Sequence, residues 1–184
     1  MNLADGRNLL HEWVHNPALR THMECVAACM GAYADQLQPD QRQRWQLCGL
    51  LHDLDWERHP TREEHPFAGV KFLRERGDVD EEILTAILGH ADYSGTPRDT
   101  SMAKTLFAVD ELAGFIVACA KVRPDGIATL EPKSVKKRLK SKDFAAAVSR
   151  ADITTGIAEL GMEETRHIQT CIDAIRAERQ RLGL

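Results

Sequence analysis

The sequence predicts an all-α, single-domain helical bundle, and three observations carry that expectation. Apolar residues recur at three-and-four spacing along most of the chain, as one buried face of a helix requires. Proline, glycine and aspartate interrupt that pattern at helix-sized intervals. No alternating apolar–polar run of strand length occurs, and aromatic residues make up only 5% of the chain, against the composition that strands favour.

Taken in order, residues 6–15 read as a short first helix that Asn16-Pro17 ends. From Pro17 to Leu37 the positions Leu19, Met23, Val26, Ala27, Met30 and Tyr33 form an apolar stripe. Gln38-Pro39-Asp40 breaks it, and Asp40 is placed to cap a helix over 41–53. His59-Pro60-Thr61 and His65-Pro66 mark a loop, after which a helix runs from Pro66 to Arg76 and stops at Gly77-Asp78. Asp80 can cap a helix over 81–90, and Ala91–Asp99, with its Gly, Pro and Ser, is a loop. A long apolar helix then covers 100–121 and closes at Arg123-Pro124-Asp125-Gly126. The basic stretch Lys133–Lys142 leads through Phe144 into a helix over 150–160, and a last amphipathic helix over 162–181 turns Ile168, Cys171, Ile172 and Ile175 inward. The expected organisation is a core over 1–125 with a helical extension over 126–184 packed on it, joined by short connections.

At 184 residues with 43% apolar and 28% charged side chains, the chain can bury a full core. Its net charge of −4 and pI near 6.1 give no global basic field, so nucleic acid is not an expected partner. No apolar run reaches the length of a membrane span, and MNLADGRNLLHEWV has charges where a signal peptide needs an apolar stretch, so the expected compartment is the cytoplasm. Five cysteines, Cys25, Cys29, Cys48, Cys119 and Cys171, lie in apolar helical surroundings. Cys25 and Cys29 could contribute to a metal site, but no second pair completes one, and buried reduced thiols are the expected state.

The chemical signal lies in where His and Asp fall. His52-Asp53 follows the apolar run Leu47-Cys48-Gly49-Leu50-Leu51, so a buried helix ends by presenting an imidazole beside a carboxylate. Both are good ligands for divalent metals. An aspartate in apolar surroundings is costly unless a cation or hydrogen bonds compensate it. Asp110 sits in just such a helix, within Phe107-Ala108-Val109-Asp110-Glu111-Leu112, and His22 lies one turn before Val26. Singly, each has an ordinary reading as a satisfied core or surface residue. Together they suggest one buried cation.

The ordered set His22, His52-Asp53, Asp110 resembles the H…HD…D pattern of the HD-domain metal-dependent phosphohydrolase superfamily, with an HDIG-like bacterial cast. The resemblance spans roughly 15–125 and includes His65-Pro66-Phe67-Ala68-Gly69, similar to an "H-P-x-x-G" helix start, and the histidine of Gly89-His90-Ala91-Asp92. It implies the HD-type helical fold and divalent metal ligation by His22, His52, Asp53 and Asp110. With His65 and His90 added, it implies two ions bridged by Asp53, with Mn, Fe, Zn, Co, Ni and Mg undistinguished. Residues 126–184 resemble, more loosely, an extension found on bacterial members. Leu54-Asp55-Trp56-Glu57 stands where signalling subfamilies place Gly and Lys, and Gly89 precedes His90 where the cyclic-di-GMP phosphodiesterases double the histidine. That subfamily is therefore disfavoured.

The implied chemistry is hydrolysis of a phosphoester or phosphoanhydride in a small phosphorylated substrate, nucleotide-like, by a metal-activated water, with His52 and Asp53 at its centre. No G-x-S-x-G, P-loop or G-x-G-x-x-G supports another mechanism. Arg123 and Lys136 are candidate phosphate-binding cations, with a solvated helix face the simpler reading for the lysine. Glu57 and Asp92 are candidate water-orienting or proton-donating acids, and loop acids without such a role serve as well. Two alternatives stand beside this reading: a dinuclear-iron oxygenase on the same ligands, and a regulatory domain without turnover. A homo-oligomer is compatible with all three.

Overall fold

The computed structural model describes residues 1–184, and it is all α-helix with turns and two short 3₁₀ segments. Two helices of 21 residues, α2 (Pro17–Leu37) and α6 (Ser101–Lys121), lie side by side at the centre. Around them in chain order are α1 (Leu3–Trp13), α3 (Arg42–Leu51), α4 (Phe67–Arg76), α5 (Glu81–Gly89), α7 (Pro132–Leu139), α8 (Arg150–Leu160), α9 (Glu164–Ala177) and the four-residue α10 (Arg179–Leu182). α3 packs along α2 with α1 behind it, while α5 and α8 flank α6. α9 closes over both central helices.

Local signals account for most boundaries. Asn16 caps α2 by accepting from Ala18 and Leu19, Asp80 caps α5 through Ile83, Thr100 caps α6 through Ala103, and Ser149 caps α8 through Asp152. Three expectations are corrected. α1 begins at Leu3 rather than residue 6, because Asn2 accepts from the Asp5 amide and starts the helix earlier. Asp40 does not cap α3; it sits inside a 3₁₀ turn, Pro39–Gln41, that feeds directly into the helix. The helix expected over 162–181 is two, broken at Glu178, where the backbone leaves helical geometry at φ −97° and ψ 4°.

Burial follows the stripe pattern. Met23, Val26, Ala27, Met30 and Tyr33 of α2 share one continuous core with Leu106, Val109, Leu112 and Ile116 of α6. Ile153, Ile168, Cys171, Ile172 and Ile175 belong to that same core, so the C-terminal helices build onto the central pair. The α6–α8 approach depends on Gly156, where a Cβ would stand 2.6 Å from the Ala108 Cα. All five cysteines are buried and free. No helix is long and apolar enough to cross a membrane.

Candidate metal centre

Five chain segments converge beside the central pair, at the middle of α6. α2 supplies His22, the turn after α3 supplies His52 and Asp53, the turn before α4 supplies His65, the end of α5 supplies His90, and α6 supplies Asp110. His52, His65 and His90 are buried, and Asp53, His22 and Asp110 are partly so.

The donor atoms divide into two groups about the Asp53 carboxylate. Its Oδ2 lies 3.3 Å from His52 Nε2 and 3.7 Å from His22 Nε2, and Asp110 Oδ1 lies 3.3 Å and 3.0 Å from the same two nitrogens. Its Oδ1 faces the other way, 3.4 Å from His65 Nε2 and 3.5 Å from His90 Nε2. Within each group, imidazole nitrogens face one another: His22 and His52 at 3.3 Å, His65 and His90 at 3.2 Å.

The outer ring nitrogens explain this orientation. His52 Nδ1 lies 2.8 Å from the Gly49 carbonyl, His90 Nδ1 bonds the Ile87 carbonyl, and His65 Nδ1 lies 2.8 Å from Asp55 Oδ1. A carbonyl or carboxylate can only accept, so each Nδ1 carries a proton, and when the ring is neutral each Nε2 presents a lone pair inward. Facing lone pairs repel unless a proton or a cation lies between them, and the donor set of four imidazoles and two carboxylates suits a divalent cation. These residues therefore fit the divalent metal that their grouping could hold.

Electrostatics agree. Burial works against charge on His52, yet the Asp53 and Asp110 carboxylates outweigh it and hold this imidazole well above its usual range. Burial likewise opposes ionisation of Asp53 and Asp110, but His52 foremost holds both well below the ordinary carboxylate range. Glu111, beside Asp110, is pushed up to about 7 by burial and then by Asp110, and it accepts from the Ser149 amide at the start of α8.

All six sequence-predicted ligands are brought together here; the four predicted substrate-binding residues are not. Arg123 lies beyond the far end of α6, bonded to Asp125 and Thr129 in its own loop. Lys136 pairs with Glu164 at 2.6 Å. Glu57 accepts from the His15 and Asn16 amides at 2.9 and 2.8 Å, pinning the α1–α2 connection. Asp92 pairs with Arg98, which also holds Glu159 and lies over the Phe107 ring.

Four residues near the centre went unpredicted. Asp55, buried at 1% exposure, orients His65 and also accepts from the Gly69 amide at 2.6 Å. A Cβ at Gly69 would stand 2.9 Å from the Asp55 carboxyl carbon, so glycine is what lets this contact form. The available signal was a second aspartate two residues after Asp53 in the same turn. Trp56 stacks edge-on against His65 at 4.9 Å between centroids, and the Arg62 guanidinium lies 5.2 Å from the Tyr93 ring centre. Both aromatic rings are about two-fifths exposed, Trp56 at 41% and Tyr93 at 40%. They lie in loops without periodicity, where only an out-of-place exposed aromatic marks them.

The HD-domain family model matches residues 19–118, a span that contains all six clustered side chains. No curated protein and no solved structure matches the chain.

Proposed function

The chain belongs to the HD-domain family, and from that membership and the geometry of the site we propose that it is a metal-dependent phosphohydrolase acting on a small phosphorylated molecule of nucleotide type. The observation that carries the reading is the Asp53 carboxylate, whose two oxygens face two separate pairs of imidazole nitrogens. One ion would be held by His22, His52, Asp53 and Asp110, and a second by Asp53, His65 and His90. Two such ions supply a water of lowered pKa and neutralise charge that builds on phosphoryl oxygens.

The chain's own residues do the rest. Gly49, Ile87 and Asp55 fix three imidazoles with Nε2 inward, so the ligands need no reorganisation on loading. Trp56 covers one edge of His65 and limits water there. Arg62 is the cation placed to meet a phosphate. It lies over Tyr93, whose hydroxyl is pushed up by burial and then by the Asp53 charge. A guanidinium at that position can hold phosphoryl oxygens bidentately.

The test is phosphate release by the manganese-loaded protein from nucleoside mono-, di- and triphosphates and a p-nitrophenyl phosphoester. Turnover abolished in Asp53→Ala and with KM raised several-fold in Arg62→Gln is the expected result. Substrate-dependent dioxygen consumption by iron-loaded protein without phosphate-ester hydrolysis would instead favour oxygenase chemistry.

A further inference from the structure

The end of α6 away from the metal centre borders a cleft of about 460 Å³ that the reading above does not use. Its lining combines Arg123, Lys137 and Arg138 with the hydroxyls of Ser134 and Ser141, and with Val122, Leu130 and Cys119 as an apolar wall. No carboxylate lines it. Cys119 stands nine residues after Asp110 on α6, about two and a half turns, so it faces the opposite side of the helix and lies about 14 Å further along. A ligand in this cleft is out of reach of the metal cluster.

Two of the three cations here are not neutralised, while the third, Arg123, pairs with Asp125 at 3.2 Å. Lys137 and Arg138 make no ion pair within 4 Å, and Arg138 lies 4.6 Å over the Phe144 ring with its charge uncompensated. Arg123 is bonded through Nη2 alone, and its Nε is buried without any acceptor. Three guanidiniums bear on one atom: burial pushes the Cys119 thiol up to about 11 while Arg138, Arg150 and Arg123 pull it back. Convergent cations, hydroxyl donors and a short apolar wall form the complement of a polyanion with an organic part, and the volume is of small-ligand size.

We propose that this cleft is a second binding site, separate from the metal centre, for an organic di- or triphosphate such as a nucleotide. Val122 and Leu130 face its organic part, and Arg123, Lys137 and Arg138 with the two serines hold its phosphates.

The test is equilibrium binding of ATP to the full-length protein in the presence of a chelator, with adenosine as the uncharged comparison. ATP should bind and adenosine should not. Affinity should fall tenfold or more in Lys137→Gln/Arg138→Gln and severalfold in Lys137→Gln alone, which leaves the Arg138–Phe144 stack in place. Asp53→Ala should bind as the wild type does, so this outcome is independent of whether the metal centre hydrolyses anything. Absence of ATP binding, or binding unchanged in both variants, would overturn the proposal. Loss in Asp53→Ala would do the same by placing the ligand at the metal cluster.

Discussion

Histidine is buried in two parts of this molecule, and the difference in company decides what each can do. His167, fully enclosed between α2, α6 and α9, uses both ring nitrogens inside the protein. Its Nδ1 accepts from the Tyr33 hydroxyl at 2.5 Å and its Nε2 donates to the Ala108 carbonyl at 3.0 Å. Burial lowers its proton affinity, and no carboxylate opposes that. It is a neutral, satisfied core residue. In the ligand cluster, His52, His65 and His90 use only Nδ1, and their Nε2 atoms face each other and Asp53. Burial is therefore no mark of a metal ligand. What marks one is an inward nitrogen left unmatched by any protein donor, beside a carboxylate.

That contrast can be broken by experiment, and the largest expected effect comes from the ions themselves. An ion present at a hundred to a thousand times its Kd stabilises the fold by about 3–4 kcal/mol, roughly 10 °C for a domain of this size. Calorimetry with chelator should show that fall, and added manganese should restore it. An unmoved Tm would contradict a site built around cations. His167→Ala sits next in size. It removes a buried ring and takes from the Tyr33 hydroxyl its histidine partner, at a cost of about 2–4 kcal/mol. Metal content should not change, and if it did, the two histidine environments would not be separable.

Asp55→Ala sharpens the comparison within the cluster. It frees the His65 ring and should weaken the His65–His90 position about 10- to 100-fold, while the His22–Asp110 position keeps its ion. Titration calorimetry resolving two steps in the wild type and only the tighter one in the variant is the expected pattern; parallel weakening of both steps would count against it. The smallest effect is on pH. In the ion-free protein His52 is held above its ordinary range, so it carries a proton near neutrality that a cation must displace. Raising the pH removes that competitor, so metal affinity should climb with pH until His52 is deprotonated in the folded state. Lowering the pH should weaken binding, by at most about tenfold per unit for each proton displaced. Calorimetry in two buffers of different ionisation enthalpy should register net proton release.

Much of this was legible in the sequence, for identifiable reasons. Helices α2, α5, α6 and α8 announce themselves through an apolar stripe bounded by a capping side chain, Asn16, Asp80, Thr100 and Ser149. His22, His52, Asp53 and Asp110 stand out as polar groups at or inside apolar helices, whereas His65 and His90 are reached through the resemblance to the family's ordered motif. Asp55, Trp56, Arg62 and Tyr93 lie in turns, where spacing carries no geometric meaning. Arg123 and Lys136 lie apart from the cluster for a different reason. Following Asp110 in sequence says nothing about side, and helical rotation carries the chain past α6 to the opposite face and the far end.

The most direct measurement of the central claim is the metal content of the purified protein beside Asp53→Ala, by elemental analysis after loading with manganese. Asp53 is shared by both groups of ligands, so the account predicts close to two ions per chain in the wild type and a loss at both positions in the variant. Two ions retained in Asp53→Ala, with the fold intact, would contradict it.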